Sequence, residues 1–193
     1  MVLVHADEAC LGNGREAPTP GGAGGLVEVR TGAGVARRDY FVSEPDTTNN
    51  RMALRSAIEA LALLAAKGPR RVRFVSDSQY LVRGMAEWVR AWRARGWRRQ
   101  GGAIENLELW RELVAAAERH AVTWVWVRGH AGHVKNEYAN HLATRAAAEQ
   151  HDSGGLVPSG LEAWLAAERA AGRYRDYDPD ADVPRVDKGE GPA

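Results

Sequence analysis

The chain has 193 residues, of which 45% are hydrophobic and 26% are charged, so it can bury the core of one domain with an appendage. Its single cysteine, Cys10, excludes an intramolecular disulfide and favours a reducing compartment. No long apolar run follows the N-terminus, which argues against export or a membrane anchor. We therefore expect a cytoplasmic protein without a membrane partner.

Charge is distributed unevenly along the chain. Residues 151–193 carry nine acidic and five basic side chains, whereas residues 1–150 carry 16 acidic and 21 basic ones. A basic body with an acidic tail points to a polyanionic partner. We expect one domain over residues 1–150 and a C-terminal extension over residues 151–193.

The first third of the chain predicts an antiparallel meander. Residues 1–9 have the pattern of a strand that ends near Asp7, and glycines and prolines then supply a turn. Residues 23–29 and 34–42 have the pattern of a strand pair joined by the turn at Thr31 and Gly32.

A helix with a polar N-terminus follows the meander. Residues 46–50 cap it, and Met52 and Leu61 belong to an apolar pattern at helical spacing that continues to about residue 66. Thr48 and Asn49 place hydrogen-bond donors at the helix N-terminus, a natural place to hold a phosphate. Capping alone would explain one or two of these polar residues.

Two aspartates follow strands that we expect to be neighbours. Residues 71–75 form the next predicted strand, and Asp77 comes directly after it, before another helix. In a parallel β-α-β arrangement the carboxyl ends of the strands converge at one edge of the sheet. Asp7 and Asp77 are therefore expected at the same edge.

Residues 85–100, which we call the Trp/Arg ridge, interleave three tryptophans with five arginines. Trp88 and Trp92 are four residues apart and share one helix face, which favours core packing. Arginines on the opposite face, with Trp97 after Gly96, suit a ridge that grips a phosphate backbone by charge and stacking.

The last part of the body combines a helix, a strand and a histidine loop. Residues 106–118 form an amphipathic helix, and a strand with alternating bulky apolar residues begins at Val122. The loop at residues 129–133 carries two histidines, and Asn136 lies at the opening of the next helix. This order often delivers side chains to a reaction site, although two solvated histidines are the alternative interpretation.

Six motifs occur in the order and at the spacing of one family, over roughly residues 1–150. They are DEACLGNG at 7–14, TTNNRM at 47–52, SDSQY at 76–80, EWVRAWRARGW at 87–97, NLELW at 106–110 and WVRGHAGHVKNE at 126–137. Together they resemble the type I ribonuclease H family. The resemblance implies an α/β fold, the ribonuclease H-like five-stranded mixed sheet with three antiparallel strands first, flanked by helices.

The resemblance also implies catalytic residues. Asp7 and Asp77 match two of the four carboxylates that bind divalent metal ions in the family. His130 matches the mobile-loop histidine that is linked to water activation or product release.

Further positions match residues that contact an RNA/DNA hybrid. Asn13, Thr48 and Asn49 match a pocket for a phosphate of the DNA strand. The Trp/Arg ridge is similar to the basic protrusion that tracks the DNA strand. The remaining matched positions are Asn50, Gln79 and Asn106, and within the ridge Trp88, Trp92, Arg93, Arg95 and Trp97.

Two positions depart from the family pattern at the metal site. Ala53 stands where the family has glutamate, and Asn140 stands where it has aspartate. Mg²⁺, or Mn²⁺ in its place, binds carboxylate and water oxygens, so an alanine supplies no ligand and an amide only a neutral oxygen. The expected ligands are Asp7, Asp77 and Asn140, with weakened metal binding. Glu8 follows Asp7, but strand alternation directs it to the other face of the sheet unless the strand has already broken there. Glu137 lies one helical turn before Asn140 and could approach through a water, whereas Asp46 and Glu44 are further off.

The resemblance implies metal-dependent endonucleolytic hydrolysis of the RNA strand of RNA/DNA hybrids by a monomer, with lowered activity. A catalytically inactive hybrid-binding protein on the same scaffold is the alternative. Only Ala53 and Asn140 separate the two hypotheses.

The C-terminal extension predicts a short helix followed by a disordered tail. Residues 159–171 have an amphipathic pattern but are too few to fold alone, so this helix docks on the body or binds a partner. The remaining residues are rich in Asp and Pro, which predicts disorder. An acidic segment that occupies the Trp/Arg ridge is the alternative interpretation.

Overall fold

The structure is a computed structural model that describes residues 1–12, 19–129 and 131–184. The strands are β1 Val2–Cys10, β2 Gly21–Thr31, β3 Gly34–Glu44, β4 Arg71–Ser76, β5 Ala121–Trp126 and β6 Val157–Pro158. The helices are α1 Asn49–Ala65, α2 Gln79–Arg83, α3 Val89–Ala94, α4 Leu107–Ala117, α5 Val134–Glu149 and α6 Leu161–Ala170, with a π-helical turn at Gly84–Trp88.

The strands form one mixed sheet in the order β5-β4-β1-β2-β3-β6. β1, β2 and β3 pair antiparallel, whereas β4 runs parallel to β1 and β5 runs parallel to β4. The predicted mixed sheet with a leading antiparallel meander is confirmed. It has six strands rather than five, because the C-terminal extension adds the short β6 to the edge strand β3.

The two faces of the sheet are covered by different helices. Val4 and Ala6 of β1 belong to the main apolar core together with Leu54 of α1. The other face packs against α5, which approaches β2 closely at Gly24. A Cβ atom at Gly24 would lie 2.5 Å from the Cβ of Leu142, so a larger side chain would push the helix away.

The C-terminal extension packs on the body. Leu161 and Leu165 of α6 are fully buried. Leu161 joins Leu26 of β2 and Tyr138 of α5 in a second apolar cluster. The short helix therefore docks on the domain, as the first of the two interpretations of this segment states.

Residues 173–184 differ from the predicted disordered tail. Arg30 of β2 donates hydrogen bonds to the backbone oxygens of Asp180, at 2.6 Å, and Val183, at 3.0 Å. Val183 is buried. Composition alone predicts disorder because it cannot show that this acidic segment meets buried basic side chains of the body. Residues 185–193 of the predicted tail lie outside the described part of the chain.

The acidic segment does not lie on the Trp/Arg ridge. Asp180 pairs with Arg37 of β3, and Asp182 pairs with Lys135 of α5. Both partners belong to the opposite side of the sheet from the ridge, so the alternative interpretation of the tail is wrong for these residues. No helix in the described ranges is long and apolar enough to cross a membrane.

Candidate active site

Three carboxylates meet where the pairing of β1 with β4 ends, and we call them the acidic cluster: Asp7, Glu8 and Asp77. One carboxylate oxygen from each lies within 4.8 Å of the others. Asp7 and Glu8 are consecutive on β1, and Asp77 directly follows β4. The sequence predicted that Asp7 and Asp77 would share this edge, and the structure places them together.

Glu8 joins the cluster although it faces the other side of the sheet from Asp7. Asp7 contacts α5, whereas Glu8 has the same parity as Ala6 and so shares its face with α1 and Ala53. Parallel pairing between β1 and β4 stops at Ala6 and Ser76. Beyond that point no strand separates the two faces on this side, so side chains of both parities reach Asp77. Alternation thus gives the face of Glu8, but it does not keep the Glu8 carboxylate away from Asp77.

Two carboxylates of the acidic cluster have raised pKa values. Burial, and then the neighbouring charge of Asp77, raises the pKa of Asp7 from its ordinary value to about 8. Burial, and then the charges of Asp7 and Asp77, raises the pKa of Glu8 well above its ordinary value. A site in which neighbouring carboxylates repel each other attracts protons or cations.

The first turns of α5 lie against Asp7. Asn136 is 3% exposed, and its Nδ2 donates a hydrogen bond of 2.9 Å to Oδ2 of Asp7. Glu137 adds negative charge that also raises the pKa of Asp7. Asn140 follows Asn136 by four residues, on the same face of the helix, and is half-buried. Sequence analysis assigned Asn140 to the site but not Asn136, although one helical turn separates them.

The histidine loop passes next to the acidic cluster. A Cβ atom at Gly129 would lie 2.2 Å from Oδ2 of Asp77, so the backbone before the loop rests against this carboxylate. The predicted catalytic residue His130 lies outside the described part of the chain. His133 is exposed and precedes the first turn of α5.

The predicted phosphate pocket lies at the N-terminus of α1. Thr48 caps this helix, and its hydroxyl accepts a hydrogen bond of 3.3 Å from the backbone amide of Arg51. Thr48, Asn49 and Asn50 are all exposed, as phosphate contact requires. The third predicted pocket residue, Asn13, lies outside the described residues.

Two further predicted contact residues flank the ridge. Gln79 is exposed at the start of α2. Asn106 precedes α4 in a left-handed conformation, and its Nδ2 donates a hydrogen bond of 3.3 Å to the hydroxyl of Tyr80. Asn106 is thus half-buried and partly engaged within the protein.

The Trp/Arg ridge is built by aromatic packing. The rings of Trp92 and Trp110 lie 5.5 Å apart, and those of Trp88 and Trp92 lie 5.9 Å apart, so both tryptophans of the ridge pack against neighbouring aromatic rings. Trp88, Trp92 and Arg99 are among the residues that line a cleft of about 330 Å³. The arginines of the ridge are exposed at positions Arg90, Arg93, Arg95, Arg98 and Arg99.

Two residues of the Trp/Arg ridge that were predicted to contact the hybrid, Arg93 and Trp97, also make contacts within the protein. Arg93 pairs with Glu118 at 2.5 Å, so one predicted phosphate contact has a partner within the chain. Trp97 is half-buried and follows Gly96 in a left-handed turn. The guanidinium carbon of Arg111 lies 5.7 Å from the centre of the Trp97 ring, which holds this ring by a cation–π contact.

Comparison with known proteins agrees with this geometry. The family described as RNase H matches residues 1–148. Ribonuclease H of Aromatoleum aromaticum is 47% identical over 146 residues, which cover 75% of this chain and 89% of the relative. Ribonuclease HI of Pseudomonas aeruginosa is 43% identical over 150 residues, which cover 77% of this chain and 95% of the relative.

Solved structures extend the similarity to the C-terminal extension. LC9-RNase H1, described as a type 1 RNase H with the type 2 active-site motif, superposes with a TM-score of 0.83 and 55% identity. The match covers 98% of this chain and 96% of that one. LC11-RNase H1 in complex with an RNA/DNA hybrid shares the fold at a TM-score of 0.57 and 18% identity, covering 78% of this chain and 99% of that one. By its sequence, its sheet and the aspartates at the sheet edge, this chain belongs to the RNase H family.

Proposed function

We propose that this chain is an active, metal-dependent ribonuclease H that cleaves the RNA strand of RNA/DNA hybrids internally. The observation that carries the proposal is the acidic cluster, in which Glu8 joins Asp7 and Asp77. Residues 1–150 form the catalytic domain in this proposal, and residues 151–193 form its extension. Cys10, a free thiol, agrees with a cytoplasmic place of action.

The residues of the acidic cluster suit Mg²⁺ or Mn²⁺. Asp7, Glu8 and Asp77 would hold the metal through carboxylate oxygens, and Asn140 would add a neutral oxygen. Bound divalent metal supplies charge that activates water and stabilises the phosphate during hydrolysis. The expected weakening of metal binding assumed two carboxylates. The structure groups three, which supports stronger binding than that assumption allows.

In this proposal Glu8 supplies the carboxylate that the family has at position 53, where this chain has alanine. Ala53 is buried in the core below the α1 face of the sheet, and Glu8 approaches Asp77 from that same face. The relative with 55% identity is itself described as carrying the type 2 active-site motif. This description supports a variant site rather than a damaged one.

The chain's own residues position both the reaction centre and the substrate. The amide of Asn136 orients Asp7 by its hydrogen bond of 2.9 Å. Exposed donors at the N-terminus of α1, Thr48 and Asn49, would bind a phosphate of the DNA strand. The ridge would follow the same strand, so the RNA strand is left against the acidic cluster. Two structures that share this fold are described as complexes with an RNA/DNA hybrid.

The proposal is tested by cleavage of an end-labelled RNA/DNA hybrid with Mg²⁺ and, separately, with Mn²⁺. We expect internal cuts in the RNA strand, lost in Asp7→Asn and strongly reduced in Glu8→Gln. The loss of one metal ligand removes several kcal/mol of transition-state stabilisation. This loss corresponds to a cleavage rate that is lower by about 10³-fold or more. Glu112→Gln, which neutralises an exposed carboxylate on α4, should cleave at the wild-type rate.

Tight hybrid binding without cleavage under either metal would contradict the proposal and would leave a binding protein on this scaffold. Full activity in Glu8→Gln would show that Glu8 does not replace the missing carboxylate. A further variant, Ala53→Glu with Asn140→Asp, then tests whether the family pattern raises the rate.

A further inference from the structure

Residues 173–184 form a segment, which we call the C-terminal strap, that crosses the face of the sheet covered by α5. Arg37 of β3 donates a hydrogen bond of 2.9 Å to the backbone oxygen of Pro179 and pairs with Asp180. Tyr177 and Asp182 line a cavity of about 290 Å³ together with His5 of β1 and the first turn of α5. The strap is therefore attached to the body beside the acidic cluster.

Lys135 connects the strap to α5. Its ammonium lies 2.6 Å from Oε2 of Glu28 on β2 and 2.5 Å from Oδ1 of Asp182 on the strap. Lys135 is 2% exposed and Glu28 is fully buried. A buried cation in the first turn of a helix is unfavourable, because the helix dipole is positive at that end and water is excluded. The two carboxylates offset this cost, so they fix the position of the turn.

The same turn carries Asn136, the next residue. The Asn136 amide donates to Asp7, but its Oδ1 has no hydrogen-bond partner among the described residues. The side-chain amide of Asn136 is thus held by one side-chain contact among the described residues, the hydrogen bond to Asp7. Its position otherwise depends on the backbone of the turn. A displacement of that backbone is passed directly to a carboxylate of the acidic cluster.

We propose that Asp182 and Lys135 are positioning residues, through which the C-terminal strap keeps Asn136 aligned with Asp7. In this arrangement the strap belongs to the support of the active site rather than to an independent appendage. The inference rests on the proposed function for its kinetic readout, but not for its structural one. It predicts that a change in the strap, remote from the hybrid-binding surface, alters turnover.

The experiment compares Asp182→Ala, Asp182→Asn and Asp182→Glu with Asp176→Ala in the full-length chain. Asp176 is an exposed aspartate of the same strap that makes no hydrogen bond or ion pair to the described residues. Asp182→Ala should lower kcat about tenfold with KM for the hybrid unchanged, because small displacements of reacting groups are costly and the substrate surface is untouched. Asp182→Glu should restore part of kcat, and Asp176→Ala should match the wild type.

A second readout follows the Asn136 side-chain amide by nuclear magnetic resonance in metal-free protein. Its resonances should shift in Asp182→Ala and keep their wild-type positions in Asp176→Ala. A purely structural strap would lower the melting temperature of Asp182→Ala but would leave kcat and the Asn136 resonances unchanged, which would overturn the inference. If Asp182→Ala fails to fold, Asp182→Asn, which keeps a neutral acceptor for Lys135 but removes the charge, should give smaller changes of kcat and of the Asn136 resonances in the same direction. Wild-type values of both in Asp182→Asn would then overturn the inference. A wild-type chain without cleavage would refute the proposed function, while the amide resonances would still decide this inference.

Discussion

Two groups of charged side chains in this protein differ in composition, although each contains buried members. The acidic cluster contains only carboxylates, and its members raise one another's pKa. The second group, which we call the ion-pair cluster, consists of Glu28, Arg37, Lys135 and Asp182. In it Glu28 contacts Arg37 at 2.9 Å and Lys135 at 2.6 Å.

The fold accommodates buried carboxylates in two ways. In the ion-pair cluster, each carboxylate has a cation among the described residues, so the group holds β2, β3, α5 and the strap together. In the acidic cluster, burial and the neighbouring carboxylates raise the pKa values of Asp7 and Glu8, which favours protons or cations there. One cluster thus pairs carboxylates with cations, and the other brings carboxylates together.

Removing a cation from the ion-pair cluster should have the largest effect on stability. Lys135→Met leaves buried Glu28 with Arg37 alone, and breaking a buried pair costs about 3–5 kcal/mol of unfolding free energy. Urea unfolding measures this change. Arg83→Met, at an exposed ion pair with Glu87, should cost under about 1 kcal/mol and serves as the control. A similar loss in both variants would mean that Lys135 has no special role.

Adding positive charge to the acidic cluster should stabilise the protein. Mg²⁺ at about 100 times its dissociation constant should add about 2.7 kcal/mol, seen as a higher melting temperature. The gain should be smaller in Glu8→Gln and full in Glu112→Gln. Equal gains in the wild type and Glu8→Gln would remove Glu8 from the metal site.

Crowding the acidic cluster from the histidine loop should lower activity by a smaller amount. In Gly129→Ala the new Cβ would lie 2.2 Å from Oδ2 of Asp77, so either the loop or the carboxylate has to shift. We expect hybrid cleavage to fall about tenfold. Gly32→Ala, where a Cβ meets nothing within 4 Å, is the matched control and should cleave normally. Unchanged cleavage in Gly129→Ala would show that the loop is free to move away.

Protonation should partly balance the acidic cluster in metal-free buffer. The pKa of Asp7 is about 8 in the folded chain and 3.8 without the fold, so between these values the folded state binds the extra proton. Asp7 therefore contributes stability that is fully present below pH 3.8 and is lost as pH rises through about 8. Through this one group, the free energy of unfolding can fall by at most about 1.4 kcal/mol per pH unit.

Melting temperatures of the wild type and Asp7→Asn, followed with pH in a chelator, report this contribution together with its coupling to Glu8, whose pKa is also raised by Asp7. Burial lowers the pKa of His5 to about 3, and that group acts in the opposite direction. Both proteins retain His5, so its effect cancels in the difference. The advantage of Asp7→Asn should grow with pH, and a constant difference would contradict a raised pKa of Asp7.

Much of the fold follows from local patterns in the sequence. Alternating apolar residues and glycine-rich turns predict β1 to β3, and helical spacing predicts α1 and α4, within a few residues of the observed ends. Asp7 and Asp77 are predictable as site residues because carboxyl ends of parallel strands converge. These features depend on neighbours in the chain or on general rules of sheet topology.

The role of Glu8 and the order of the strap depend on the tertiary structure. Alternation correctly gives the face of Glu8, but its approach to Asp77 depends on where pairing between β1 and β4 stops. The strap is acidic and rich in proline, yet it is held because Lys135 and Arg37, far away in sequence, meet Asp180 and Asp182. Local patterns predict β1 to β5, the long helices and two aspartates at one edge of the sheet. The grouping of charged side chains arises only on folding, because it depends on distances between segments that no local pattern encodes.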